Sequence, residues 1–114
     1  MKTIIINNLE WQEADDGIQR TWEKAVDYAV TLGKGWRLPT IEELFSIIDF
    51  TICDPACKIN NCRSSYYWSS SPDAYFSSNA WAVDFGYGHV DDASKGAHYY
   101  ARCVRDTLIK MQYK

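Results

Sequence analysis

The chain has 114 residues, 46% of them apolar and 15% aromatic, with a formal charge of −3. That length fits one domain, 1–114, with a real core, because a chain of this size removes roughly two-thirds of its unfolded surface on folding. A disordered chain would be poor in aromatics; a nucleic-acid binder would concentrate Lys or Arg on one face; a membrane-inserted one would need ~18 consecutive apolar residues, and none of these patterns is present.

Thr3 to Ile6 is β-branched and apolar, and Leu9 to Gln12 follows two asparagines that suit a turn, so the chain is expected to open with a short strand pair. The opening is too short for a signal-peptide apolar region. The expected compartment is the cytoplasm as the chain is written, or the exterior or a virion if it belongs to a larger or lysis-released assembly. Asp15-Asp16-Gly17 marks a turn. Thr21 can cap a helix whose apolar positions Trp22, Ala25, Val26, Ala29 and Val30 recur at helical spacing, and Gly33 can end it with a positive φ.

Pro39 ends the segment before it, and Thr40 stands three residues before Glu43, the spacing of a reciprocal capping box. A second helix is expected from about Ile41 to Asp49, with Leu44, Ile47 and Ile48 on one side and Glu42, Glu43 and Asp49 toward water or Arg37. Thr51 to Ser65 reads as a long loop. The period then changes to two. Trp81, Val83 and Phe85 alternate with Ala82 and Asp84, Gly86-Tyr87-Gly88 suits a hairpin turn into His89 and Val90, and Tyr99 to Arg105 alternates again. The expected class is α+β, two short helices packed on a twisted antiparallel sheet.

The stretch Gly35-Trp36-Arg37-Leu38-Pro39-Thr40-Ile41-Glu42-Glu43-Leu44 is followed in order by Tyr66-Tyr67-Trp68-Ser69-Ser70-Ser71, Ala80-Trp81-Ala82-Val83-Asp84-Phe85 and Tyr100-Ala101-Arg102-Cys103-Val104-Arg105. This ordered set resembles the bacterial domain of unknown function DUF1566, also known as the C-terminal domain of Legionella collagen-like protein. The resemblance spans about Leu9 to Arg105 and implies a C-type-lectin-like fold. Its best-known relative implies adhesion. The Arg-Leu-Pro-Thr phrase is also similar to one in formylglycine-generating enzymes.

From Ser64 to Tyr100 the chain is rich in Tyr, Ser, Asp and Gly, the composition of adaptable binding loops. Tyr75, Phe76 and Tyr87 are the loop aromatics expected to be exposed, with His89, Asp91 and Asp92 beside them as candidate ligand contacts. The last three, with His98, could meet a cation, but the Glu-Pro-Asn or Gln-Pro-Asp triplet of calcium-dependent lectins is absent, and a solvated acidic loop is the favoured reading; no metal or cofactor is expected. Trp68 and Trp81 read as core or strand residues, and Trp36, Arg37, Thr40, Glu43, Arg102 and Arg105 as structural groups at the junction of helix and sheet. Cys53, Cys57, Cys62 and Cys103 fit two disulfides, free thiols or a zinc set. Members of the resembled family tend to carry a cysteine in the first helix, where Ala29 stands here.

The favoured function is a non-catalytic binding module for a protein or glycan. An intracellular or phage-encoded inhibitor of a host protein is the alternative. A formylglycine-generating oxidase comes last, because those enzymes look longer and pair two cysteines near the domain's end, where this chain has Cys103 alone.

Overall fold

The computed structural model describes residues 1–108; the rest of the expected domain, 109–114, lies outside the described residues. The class is α+β. Strands β1 (Thr3–Ile6) and β2 (Leu9–Gln12) are followed by helices α1 (Trp22–Leu32) and α2 (Ile41–Phe45), then by β3 (Tyr66–Pro72), β4 (Asn79–Asp84), β5 (His89–Ser94) and β6 (Val104–Asp106). The strands divide between two antiparallel three-stranded sheets, ordered β1-β2-β6 and β3-β4-β5, rather than forming the single sheet that the alternation suggested.

The split has a physical reason in the residues before β6. Tyr99 makes a bridge to Arg20 and Tyr100 a parallel bridge to Tyr67, and only from Val104 does the chain join β2. Ala101, Arg102, Cys103 and Val104 are all buried, so side chains pointing both ways find cover and the expected two-residue alternation of burial is absent.

The sheet β3-β4-β5 carries a core on each face, because successive side chains of a strand point to opposite sides. On one side Trp68, Ala80, Ala82, Ala101 and Cys103 pack with Ala25 and Ala29 of α1. The alanines on helix and strand leave room for their close approach. On the other side Tyr67, Val83 and Phe85 pack with Trp11, Leu44, Ile47, Ile48 and Val104. Leu44 alone, fully buried, would cost about 2–5 kcal/mol on truncation to alanine.

Both helix starts lie where the sequence places them. At α1, however, the Thr21 side chain makes no cap hydrogen bond; the Trp22 N–H instead donates to the Lys95 carbonyl at 3.0 Å. Val30, expected on the buried face, is 70% exposed; it sits about 100° round the helix from Ala29, outside the side that Ala25, Ala29 and Leu32 turn to the core. Gly33 has φ +63°. The second helix is shorter than the spacing predicts, ending at Phe45, and Ile47 and Ile48 reach the core from the turns that follow.

Candidate functional site

The loop aromatics are exposed: Tyr75 86%, Phe76 56% and Tyr87 68%. They do not form one surface. Tyr75 and Phe76 sit in the β3–β4 loop, whose rings meet edge to face at 4.8 Å, while Tyr87 is in the β4–β5 turn, 6.1 Å from the His89 ring. The register pairs Asn79 with Ser94 at one end of the hairpin and Asp84 with His89 at the other, ends that strand geometry separates by about 17 Å. Asp73 organises the first loop by accepting the N–H groups of Tyr75 (2.8 Å) and Phe76 (3.2 Å), and those bonds hold its carboxyl below the usual range.

His89, Asp91 and Asp92 are exposed on β5. Asp91 and Asp92 point to opposite faces: Asp91 accepts the Tyr66 hydroxyl at 3.1 Å and Asp92 the Asn79 amide at 2.9 Å. Burial, aided by the Asp91 hydrogen bond, pushes the Tyr66 phenol up to about 12. Among the described residues, no group of three or more His, Cys, Asp or Glu is arranged to hold a metal ion.

Against the β4–β5 turn, at Gly88, lies a surface that the sequence did not single out. Ile41, Glu42 and Phe45 of α2 and Val90 of β5 line an open groove of about 370 Å³. Phe45 stands 5.9 Å from Phe50, and the two are 48% and 66% exposed. Phe50 in turn lies against Gly88, since a methyl group on that glycine would fall 3.4 Å from Phe50 Cε1. Helix, loop and turn thus present one continuous apolar face. It carries no neighbouring cation from its own segments: the sequence has no Lys or Arg between Thr40 and Lys58 or between Arg63 and Lys95, while Glu42 and, two residues along β5 from Val90 on the same face, Asp92 stand exposed around it. Phe45 was the available signal, an apolar residue beside Leu44 that falls outside the Leu44, Ile47 and Ile48 stripe.

The scaffold under this face is built from the phrases read in the sequence. Thr40 Oγ1 accepts the Glu43 N–H at 3.2 Å, and Glu43 Oε1 accepts the Thr40 N–H at 2.8 Å, completing the capping box. Glu43 also takes a two-pronged contact from Arg37 at 2.7 and 2.9 Å; the guanidinium, with the Thr40 N–H, holds its carboxyl below the usual range. The serines of β3 fasten α2 to the sheet. Ser70 N–H donates to the Pro39 carbonyl at 2.7 Å, Ser71 Oγ accepts the Ile41 N–H at 3.0 Å, and Ser69 Oγ donates to the Trp81 carbonyl at 2.6 Å. The register of β3 shifts between Trp68 and Pro72, which frees those serine groups from the ladder.

The last phrase closes the structure. Arg37 and Val104 exchange backbone hydrogen bonds of 2.9 and 2.8 Å. Arg102, fully buried, donates to the carbonyls of Gln12 (2.6 Å), Glu13 (2.8 Å) and Asn61 (2.9 Å). Arg105 pairs with Glu10 at 2.6 Å and lies over the buried Trp36 ring at 4.9 Å. Trp68 is buried with its indole N–H on the Arg20 carbonyl at 2.8 Å, whereas Trp81 is a half-buried strand residue.

All four cysteines are free thiols. The four are not gathered at one place: Cys53 is exposed, Cys57 and Cys62 share one core cluster, and Cys103 packs in the other beside Ala25 and Ala29. Burial pushes the Cys103 thiol up to about 12.

An α+β domain whose signature phrases interlock in this way defines a class of scaffold before it defines an activity. The model of the Lcl C-terminal domain matches residues 5–105. The chain belongs to that family, DUF1566. No curated protein matches the chain.

Proposed function

We propose that this chain is a non-catalytic binding module that holds a protein partner in the groove between α2 and β5. The observation that carries this reading is the continuous apolar face of half-buried Ile41 with exposed Phe45, Phe50 and Val90. Contiguous exposed apolar surface rimmed by polar groups marks interaction sites on soluble domains. The rim is acidic, so the partner is a polypeptide segment that offers an aliphatic or aromatic side chain to the groove, flanked by Lys or Arg.

A glycan suits this groove poorly. Sugar hydroxyls call for several placed donors and acceptors, and among the described residues Glu42 is the one polar residue lining it, in contrast to the convergent polar groups of a small-ligand site. Adhesion to a surface protein and blocking of a host protein are two uses of the same contact.

A peptide array tests the proposal, with sequences pairing an apolar residue with Lys or Arg set against Asp and Glu counterparts, beside a glycan array. The expected result is binding to the basic peptides, weakened by salt, because charges separated by more than about 8 Å are screened at physiological ionic strength, and abolished by Phe45→Asp. Glycan binding untouched by Phe45→Asp, with no peptide retained, would overturn it.

A further inference from the structure

The sheet β3-β4-β5 has two outer edges, and the chain covers one of them. Outside β3, the Tyr100 carbonyl accepts the Trp68 N–H at 3.0 Å and the Tyr100 N–H donates to the Tyr66 carbonyl at 3.1 Å. Among the described residues nothing does the same for β5: five of its six residues are exposed, and no isolated bridge reaches it.

The ladder decides which backbone groups face outward. The Lys95 N–H donates to the Ser78 carbonyl at 3.0 Å, so these two are a hydrogen-bonded pair, and in an antiparallel ladder such pairs recur at every second residue. The register therefore turns the backbone groups of His89, Asp91 and Ala93 toward β4 and those of Val90 and Asp92 away from the sheet. β4 has the same phase on its other side, where the Asn79 carbonyl accepts the Asp73 N–H and the Phe85 N–H donates to the Ser65 carbonyl. Among the described residues no other segment bonds to the outward groups of Val90 and Asp92; the Ser94 carbonyl, next in phase, is taken by the Ala97 N–H at 2.9 Å.

An open edge is a template for another strand, and proteins guard such edges with Lys, Pro or bulges. β5 contains neither Lys nor Pro, and its pairing with β4 runs without a shift. Its charges are Asp91 and Asp92. Two copies of this edge would bring acidic side chains together, and like charges facing each other across a strand pair are destabilising. The acidic pair thus opposes a second copy and favours a basic strand.

We propose that the protein partner binds as an added β-strand on the edge of β5, an inference that rests on the groove reading above and specifies the partner's conformation. Its backbone pairs with the outward N–H and C=O groups of Val90 and Asp92, which supply affinity, while alternate side chains supply specificity. The residue opposite Val90 enters the groove beside Ile41 and Phe45. The residue opposite Asp92 lies two positions away on the same face, because side chains alternate along a strand, and is Lys or Arg. The partner's mark is an apolar and a basic residue separated by one residue in an extended segment.

The tightest basic peptide from the array is resynthesised in two forms, N-methylated at alternate residues in one phase or the other, which removes N–H groups from one edge of an extended strand and leaves every side chain in place. Binding to the full chain is read by fluorescence anisotropy. One phase is expected to bind about tenfold or more weaker, through lost hydrogen bonds and the clash of the methyl groups with β5, and the other to stay within about twofold of the unmodified peptide. Amide hydrogen exchange in the complex should slow at Val90 and Asp92, with Asp91 and Ala93 little changed. Equal tolerance of both phases, or equal loss in both as for a helical segment, with Phe45→Asp still abolishing binding of the unmodified peptide, would overturn strand addition and leave the groove reading standing. Absence of any bound peptide would overturn both.

Discussion

Gly88 in the β4–β5 turn lies against Ile48 behind α2: a methyl group built on it would fall 2.8 Å from Ile48 Cγ2. The contact seats the hairpin on the α2 segment and so aligns Val90 with Phe45 and Phe50.

Gly88 also has φ +82°, a conformation costly for any residue with a Cβ. Gly88→Ala is expected to lose about 2–4 kcal/mol, the sum of backbone strain and overpacking, measured by urea denaturation. A loss indistinguishable from that of an exposed-site substitution would show that the turn does not need this close approach.

The Glu43 carboxylate links the capping box to Arg37, and its folded pKa lies below the unfolded one. Its contribution is therefore fully present above the unfolded carboxylate value of about 4.3 and is lost as pH falls through the folded value. Thr40→Ala is expected to cost about 1 kcal/mol near neutrality. Glu43→Gln keeps an acceptor for the Thr40 N–H but no titrating charge, so thermal denaturation between pH 5 and 3 (roughly the carboxylate range) should show a shallower loss than the parent. An unchanged slope would contradict the assignment.

Arg102 ties three carbonyls from two distant segments to the strand before β6. Arg102→Met removes every one of those donors and leaves the buried acceptors unpaired, at a cost of about 3–5 kcal/mol. Arg102→Lys keeps the charge without the fork and should recover only part of that loss. Equilibrium unfolding of the pair of variants checks both statements.

Phe45→Asp and Phe50→Ser change exposed side chains, so stability should stay within about 0.5 kcal/mol of the parent. Their effect falls on the surface: binding of an environment-sensitive apolar dye should drop in each. A large loss of stability would mean that these rings belong to the fold rather than to a contact face.

What the sequence made legible is what short-range chemistry decides. The Thr40 to Glu43 spacing specifies a capping box, and both of its hydrogen bonds are present; the Gly86 to Gly88 turn and the N-terminal strand pair are equally local. Exposure of Tyr75, Phe76 and Tyr87 followed from loop composition, but their separation did not, because it depends on which end of the hairpin each loop occupies. Val30 matches the helical spacing and faces water, since the spacing does not reveal how narrow the side that Ala25 and Ala29 turn to the core is. Phe45 and Phe50 gained meaning only when the β4–β5 turn folded back on them.

The central claim, that the face between α2 and β5 takes a basic, apolar-bearing protein segment, is tested most directly by mapping amide chemical shifts as an array-selected peptide is titrated into labelled protein. The account predicts shifts concentrated at Ile41, Glu42, Phe45, Phe50 and Tyr87 to Asp92, and none in Phe45→Asp. Shifts centred instead on Tyr75 and Phe76 at the far end of the hairpin, with the α2 face silent, would contradict it.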